Sequence, residues 1–268
     1  FIEMVAEFEN KELWAVILGG SSGLGLATAK KLAHHGYHIC IVHRNRKTEM
    51  EAIEQEFENI RKNGVSLLSF NADACKEEEQ EIIAATLENV LKKSDKIHVL
   101  VHSLAKGNLK PMVSEDQPTL KRDDFRVTLE AMAISLYDWT KLLFDRQLFD
   151  PDARIISFTS EGNTRAWANY AAVSAAKTAL EAITRNIALE FAPYGIKANC
   201  IQAGITDTAS FRSIPGSEEL RAHGLIRNPM KRLTTPQDVA DVVYLLCKKE
   251  AAWINGAIIP VDGGEHLR

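Results

Sequence analysis

A chain of 268 residues, 46% hydrophobic and 25% charged, is long enough to bury a large core and has the composition of a water-soluble globular protein. A net charge of -4 gives no general attraction to nucleic acid or to a membrane surface. No apolar run reaches the roughly 18 residues of a membrane span, and residues 1–13 lack the basic and apolar regions of a secretory signal, so a cytoplasmic protein is expected. Cys40, Cys75, Cys200 and Cys247 lie far apart with no CxxC pair, and the His34 and His35 pair has no third ligand at metal spacing; no metal site is expected.

Taken in chain order, β-rich apolar runs at 13–18, 37–43, 65–71, 97–102, 154–159, 196–202 and 257–261 alternate with helical patterns. Helices are predicted at 23–35, 48–62 and 77–93, each with an apolar stripe against charge. The third opens on Glu77, Glu78 and Glu79, where acids suit the positive end of the helix dipole. Such alternation builds a parallel sheet, and runs that are apolar throughout belong to strands covered on both faces. The expected fold is therefore α/β, a Rossmann-like doubly wound parallel sheet of about seven strands, as a single domain over 1–268. The stretch 206–232, with Pro215, Gly216, Gly224 and Pro229, breaks the rhythm and is read as an irregular substrate-binding lid.

Directly after the first strand come Gly19, Gly20, Ser21, Ser22, Gly23, Leu24 and Gly25, leading into a helix. Glycines let the backbone turn tightly against a pyrophosphate while the helix N-terminus supplies amide donors, so a dinucleotide site is expected here. The second strand ends in His43, Arg44, Asn45, Arg46 and Lys47. An acid at that place binds a ribose 2′-hydroxyl and a base accommodates a 2′-phosphate; with Arg44 as the candidate, and Ser22 as a further hydroxyl donor, NADPH is expected ahead of NADH.

The glycine spacing resembles the TGxxxGxG loop of the short-chain dehydrogenase/reductase superfamily, with Leu18 in place of threonine. The resemblance runs on through Asn71-Ala72-Asp73-Ala74, Ala203-Gly204 and Val261-Asp262-Gly263-Gly264. It implies that Asp73 and Ala74 lie at the adenine, that Ser103 and Leu104 border the cofactor, and that Gly204, Ile205, Thr206 and Thr208 border nicotinamide and phosphates. Asp207 is a poor phosphate neighbour because of its charge. The family also implies a homotetramer built through two long helices beginning near Leu120 and Tyr170.

Most superfamily members carry Tyr-x-x-x-Lys, in which the phenol donates a proton while the ammonium lowers the phenol pKa and holds the nicotinamide ribose. Here Val173 stands four residues before Lys177, and the tyrosine, Tyr170, stands seven before it. Ser160 precedes Lys177 by 17, as the family's serine does, so the tyrosine is the displaced member. Seven helical residues return nearly to the same face, which keeps Tyr170 on the lysine's side. Tyr-x6-Lys, the segment 175–182 and His102-Ser103-Leu104 resemble the enoyl-acyl carrier protein reductases of the superfamily, and 128–131 shows no counterpart of the ketoreductases' asparagine. Those enzymes' second aromatic, ten positions before the tyrosine, is replaced by Ser160, which looks more like their smaller NADPH-using bacterial branch.

The resemblance implies NADPH-dependent reduction of a trans-2-enoyl thioester on acyl carrier protein, in fatty acid synthesis, with Tyr170, Lys177 and Ser160 at the reacting atoms. Hydride then goes to C3 while charge collects on the oxygen at C1, so the donor must stand farther from the hydride than in a ketone reduction. Phe211, Ile214, Leu220, Leu225 and Ile226 would cover an acyl chain, and Arg221, Arg227, Lys231 and Arg232 would face an acidic carrier. Two other readings stand beside this one: an NADPH-dependent carbonyl reductase, and a non-catalytic nucleotide sensor on the same fold.

Overall fold

The computed structural model describes residues 7–9, 11–91 and 95–268. Part of the N-terminal stretch read above and the last two residues of the helix expected at 77–93 lie outside them. Seven strands, β1 (Leu13–Leu18), β2 (His38–His43), β3 (Leu67–Asn71), β4 (Lys96–His102), β5 (Phe149–Ser160), β6 (Lys197–Ala203) and β7 (Ile258–Val261), form one parallel sheet in the order β3-β2-β1-β4-β5-β6-β7. The expected doubly wound α/β fold is present.

In β1, Trp14, Val16 and Leu18 enter the core on one face while Ala15 and Ile17 enter the core on the other. This is why the run is apolar at every position. On the second of these faces pack α1 (Gly23–His34), α2 (Met50–Arg61) and α9 (Pro236–Cys247), through Ala29, Leu32, Phe57, Ile60, Val239 and Val243. The other face is covered by α3 (Glu77–Val90), α5 (Ser135–Asp145) and α6 (Ala171–Glu190), through Leu87, Leu136, Trp139, Leu143 and Leu180. The outer strands β3 and β7 are half exposed, because an edge strand has a neighbour on one side only.

The long helix expected near Leu120 is present as an unbroken run of α4 (Arg122–Leu129), a π-helical turn at Glu130–Ile134 and α5. Such a turn re-aims side chains within a helix. The segment 206–232, expected to be irregular, is instead largely helical, with α7 (Ala209–Arg212) and α8 (Ser217–Arg227), where Gly216 takes a left-handed φ of 78° as the N-cap of α8.

Strand order reverses between β1 and β4, and the carboxyl ends of these strands open a crevice. The opposite end of the sheet is closed by Phe8, whose ring lies 4.7 Å from that of Tyr37. There the Tyr37 hydroxyl and His98 Nδ1 share a hydrogen bond at 2.5 Å. Burial pulls His98 down to about 4 and His102 down to about 3. Both rings are therefore neutral when folded and bind a proton near pH 6.5 once unfolded, so stability is full above that pH and is lost as pH falls towards the folded values. Urea unfolding followed by fluorescence is expected to show a loss of roughly 2–3 kcal/mol between about pH 6.5 and pH 5, before most carboxylates titrate. A flat profile over that interval would contradict it.

Candidate active site

At the end of β1 the chain must turn under β4. Gly19 takes φ 83°, and a Cβ there would stand 2.4 Å from the Ser103 carbonyl oxygen, so a side chain is excluded both by conformation and by space. Gly25 is held as tightly, since its Cβ would lie 2.2 Å from the Gly19 oxygen. α1 starts at Gly23 with Ser22 as N-cap, and Ser22 makes no capping hydrogen bond; the first turn holds no acid. The positive end of the helix therefore faces the crevice uncompensated by the chain's own side chains, as an anion-binding end requires.

One cleft runs from this loop across the sheet. Gly19, Ser22, Gly23, Leu24, Ser103, Leu104, Gly204, Ile205, Thr206 and Thr208 line it together with Ser160, Tyr170 and Lys177. The same cleft thus joins the glycine loop to the Ser160, Tyr170 and Lys177 end. The glycine loop, the open helix end and the shape of the crevice fit a nicotinamide dinucleotide.

Five expected cofactor residues do not line this cleft. Ser21 donates to Asn45 Oδ1 at 2.8 Å, Gly25 is used for packing, and Ala74 is buried with its carbonyl accepting from the Trp139 indole at 2.8 Å. Arg44 and Asp73 pair with each other at 2.5 Å, and Lys106 stands 3.7 Å from the same carboxylate. Burial pushes the Asp73 carboxyl up, but the Cys75 amide, Lys106 and Arg44 outweigh it and leave it below its usual value. Lys106 had no signal in the sequence, because the loop that carries it comes to Asp73 only through the fold.

At the other end, Tyr170 is the N-cap residue of α6, preceded by Asn169 at φ 64°. It thus stands at the helix boundary and not within the helix. Ser160 ends β5 and its Oγ lies 3.3 Å from the Tyr170 hydroxyl. The ring has room because residue 162 is glycine, whose Cβ would fall 2.4 Å from Tyr170 Cε1. Trp167 packs against the ring with centroids 5.4 Å apart, and Met132, set by the π-helical turn, joins the same apolar cluster with Val173 and Ile214.

Burial raises Tyr170 above the usual phenol value, with the Ser160 hydrogen bond acting the other way. Lys177 is not among the groups that act on this phenol, contrary to the expectation that it brings the phenol towards working pH. Lys177 is 9% exposed, donates to the Phe158 carbonyl at 2.6 Å, and is pulled down to about 8 by burial. His102 does not reach the cleft; it ends β4 and its Nε2 lies 2.8 Å from Ser135 Oγ.

From the segment 206–232, Phe211 and Ile214 line the cleft, whereas Leu220, Leu225 and Ile226 do not, and Ile226 is 72% exposed on the outside. Nor does Arg227 face outward. It is 7% exposed and grips Glu161 in bidentate fashion at 2.8 and 2.9 Å, while its Nε donates to the Arg268 carbonyl at 2.8 Å. Arg221, Lys231 and Arg232 are exposed, and Arg232 is paired with Asp238. Asp207 is exposed and pairs with Arg212. Among the described residues no group of His, Cys, Asp and Glu is placed to hold a metal, and no helix is long and apolar enough to cross a membrane.

The family described as Enoyl-(Acyl carrier protein) reductase matches residues 19–266. The chain is 26% identical to the peroxisomal 2,4-dienoyl-CoA reductase [(3E)-enoyl-CoA-producing] of Danio rerio, over 94% of this chain and 81% of that protein. It is also 26% identical to the 7alpha-hydroxysteroid dehydrogenase of Paraclostridium sordellii, over 97% and 94%. Its fold superposes on the crystal structure of the enoyl-[acyl-carrier-protein] reductase (NADH) of Aquifex aeolicus VF5 with a TM-score of 0.80, at 24% identity over 97% and 98% of the two chains.

Proposed function

The chain belongs to the Enoyl-(Acyl carrier protein) reductase family of short-chain dehydrogenases/reductases, NAD(P)(H)-dependent oxidoreductases, and on that premise we propose that it reduces the C2=C3 bond of a trans-2-enoyl thioester. The observation that carries this reading is a buried, un-ionised Tyr170 phenol, seven positions before Lys177 and sharing its cleft. A nicotinamide held in this cleft would supply the hydride that C3 of the substrate accepts. Negative charge then collects on the thioester oxygen, where the Tyr170 hydroxyl, aimed by Ser160, donates a hydrogen bond. A proton added at C2 completes the saturated thioester.

Lys177 would hold the nicotinamide ribose, and the loop 19–25 with the N-terminus of α1 would hold the pyrophosphate. NADPH is the proposed cofactor, because residues 43–47 at the end of β2 contain no acid, and Arg44 is joined there by Lys106 as a second cation, the two now sharing the Asp73 carboxylate. Phe211 and Ile214, with Trp167, Met132 and Leu109, give the acyl part an apolar wall, so 206–232 acts as the lid. Acyl carrier protein is the proposed carrier. Exposed Val127, Ile134, Tyr137 and Leu189 on and between α4, α5 and α6 support assembly of copies, as a homotetramer, through those helices, which light scattering in solution checks.

A paired assay with NADPH tests the function: crotonyl thioester is expected to be turned over and acetoacetyl thioester not. Ketone turnover without enoyl turnover would instead establish the carbonyl reductase reading, to which the hydroxysteroid dehydrogenase relative lends support.

A further inference from the structure

Lys177 carries its ammonium inside the protein, a costly placement unless neighbours favour the charge. From β5 the Phe158 carbonyl accepts its hydrogen bond. From β4 comes His102, held neutral, and from β6 comes Cys200, a thiol pushed up to about 11 by burial, while Tyr170 at the head of the same helix stays a phenol. Burial works against the Lys177 charge; Cys200 and then Glu181 work for it, and Glu181 is the carboxylate of the two, one helical turn further along α6 and 7% exposed. Its Oε1 accepts from Thr159 Oγ1 at 2.6 Å and from Asn163 Nδ2. Those two donors flank Ser160 and Gly162, the residues that aim Tyr170 and give its ring room.

We propose that Glu181 is the positioning residue of the Tyr170 and Lys177 pair, its charge keeping Lys177 an ammonium and its hydrogen bonds fixing the 159–163 segment around Tyr170. This rests on the reading of Lys177 as the residue that holds the cofactor ribose. Nothing on Glu181 reaches the cleft, so it acts through its neighbours.

The test is the affinity of the full-length chain for NADPH, read by fluorescence titration across the alkaline range. Wild-type affinity is expected to fall as Lys177 loses its proton near pH 8. Glu181→Gln keeps an oxygen for Thr159 and removes the charge, and is expected to move that limb down by about one pH unit. Asn163→Ala cuts the loop contact and leaves the charge, so it lowers thioester turnover with the limb in place. A limb in Glu181→Gln that coincides with wild type overturns the proposal. Should that variant not fold, Glu181→Asp keeps the charge and withdraws it by one methylene; it is expected to shift the limb part of the way, and an unmoved limb overturns the proposal equally. Absence of enoyl turnover in the wild type would strike the functional reading alone, because the limb is read without substrate.

Discussion

Tyr170→Phe is expected to lower enoyl thioester turnover about a hundred- to ten-thousandfold while leaving NADPH affinity and thermal stability close to wild type. The ring keeps its place against Trp167 and its fit over Gly162, and the substitution removes only the hydroxyl and its 3.3 Å contact with Ser160. The loss therefore falls on the charge that develops on the thioester oxygen and not on the fold. Because burial raises the Tyr170 phenol and lowers Lys177 to about 8, the alkaline decline of wild-type activity is expected to follow the lysine. Steady-state kinetics on crotonyl thioester at neutral pH check the first statement. A turnover number within threefold of wild type would remove Tyr170 from the chemistry.

The parts of this site legible in the sequence are those set by local geometry. The glycines of 19–25 were readable because a strand, a tight turn and a helix start succeed one another within a few residues, and the Cβ contacts at Gly19 and Gly25 show why no other residue serves. Counting from Ser160 placed Lys177 and exposed the displacement of Tyr170, for the same reason. Contacts made across the fold left no such trace. Trp167 does not share a helix with Tyr170, so no periodicity ties the two rings, and Met132 enters the cleft region through a π-helical turn that a 3.6-residue period does not register. Glu181 was within reach: four residues beyond Lys177 on one helix, it is a neighbour by helical spacing alone. The half-exposed edge strands show the limit of reading burial from apolar runs, since Leu67 and Ile258 are as apolar as core residues yet lie at the ends of the sheet.

Arg227, expected on an outward basic face, is buried and ion-paired. A basic residue in a polar segment reads as solvated, but this one is enclosed between α8, the turn after β5 and the C-terminal residues, with its guanidinium shared between Glu161 and the carbonyls of Glu265 and Arg268. Glu161 is 66 positions away in sequence, a separation at which no local pattern operates. Arg227→Met would leave Glu161 with Arg165 alone and Glu265 buried, its carboxyl already pushed up by burial, with no cation near. Removing one partner of a buried pair costs about 3–5 kcal/mol, and the remaining Arg165 contact reduces this to roughly 2–4 kcal/mol. Urea unfolding is expected to show that loss, and Arg227→Met combined with Glu161→Gln to recover part of it, because the second substitution removes the stranded charge. The same bond anchors α8 to the turn that follows Ser160, so in folded Arg227→Met the KM for thioester should rise at least tenfold with a smaller change in kcat, as the proposed lid role of 206–232 requires. Stability within about 0.5 kcal/mol of wild type would show that the pair contributes nothing net, as surface pairs do; an unchanged KM would show that the segment 206–232 holds its place without it.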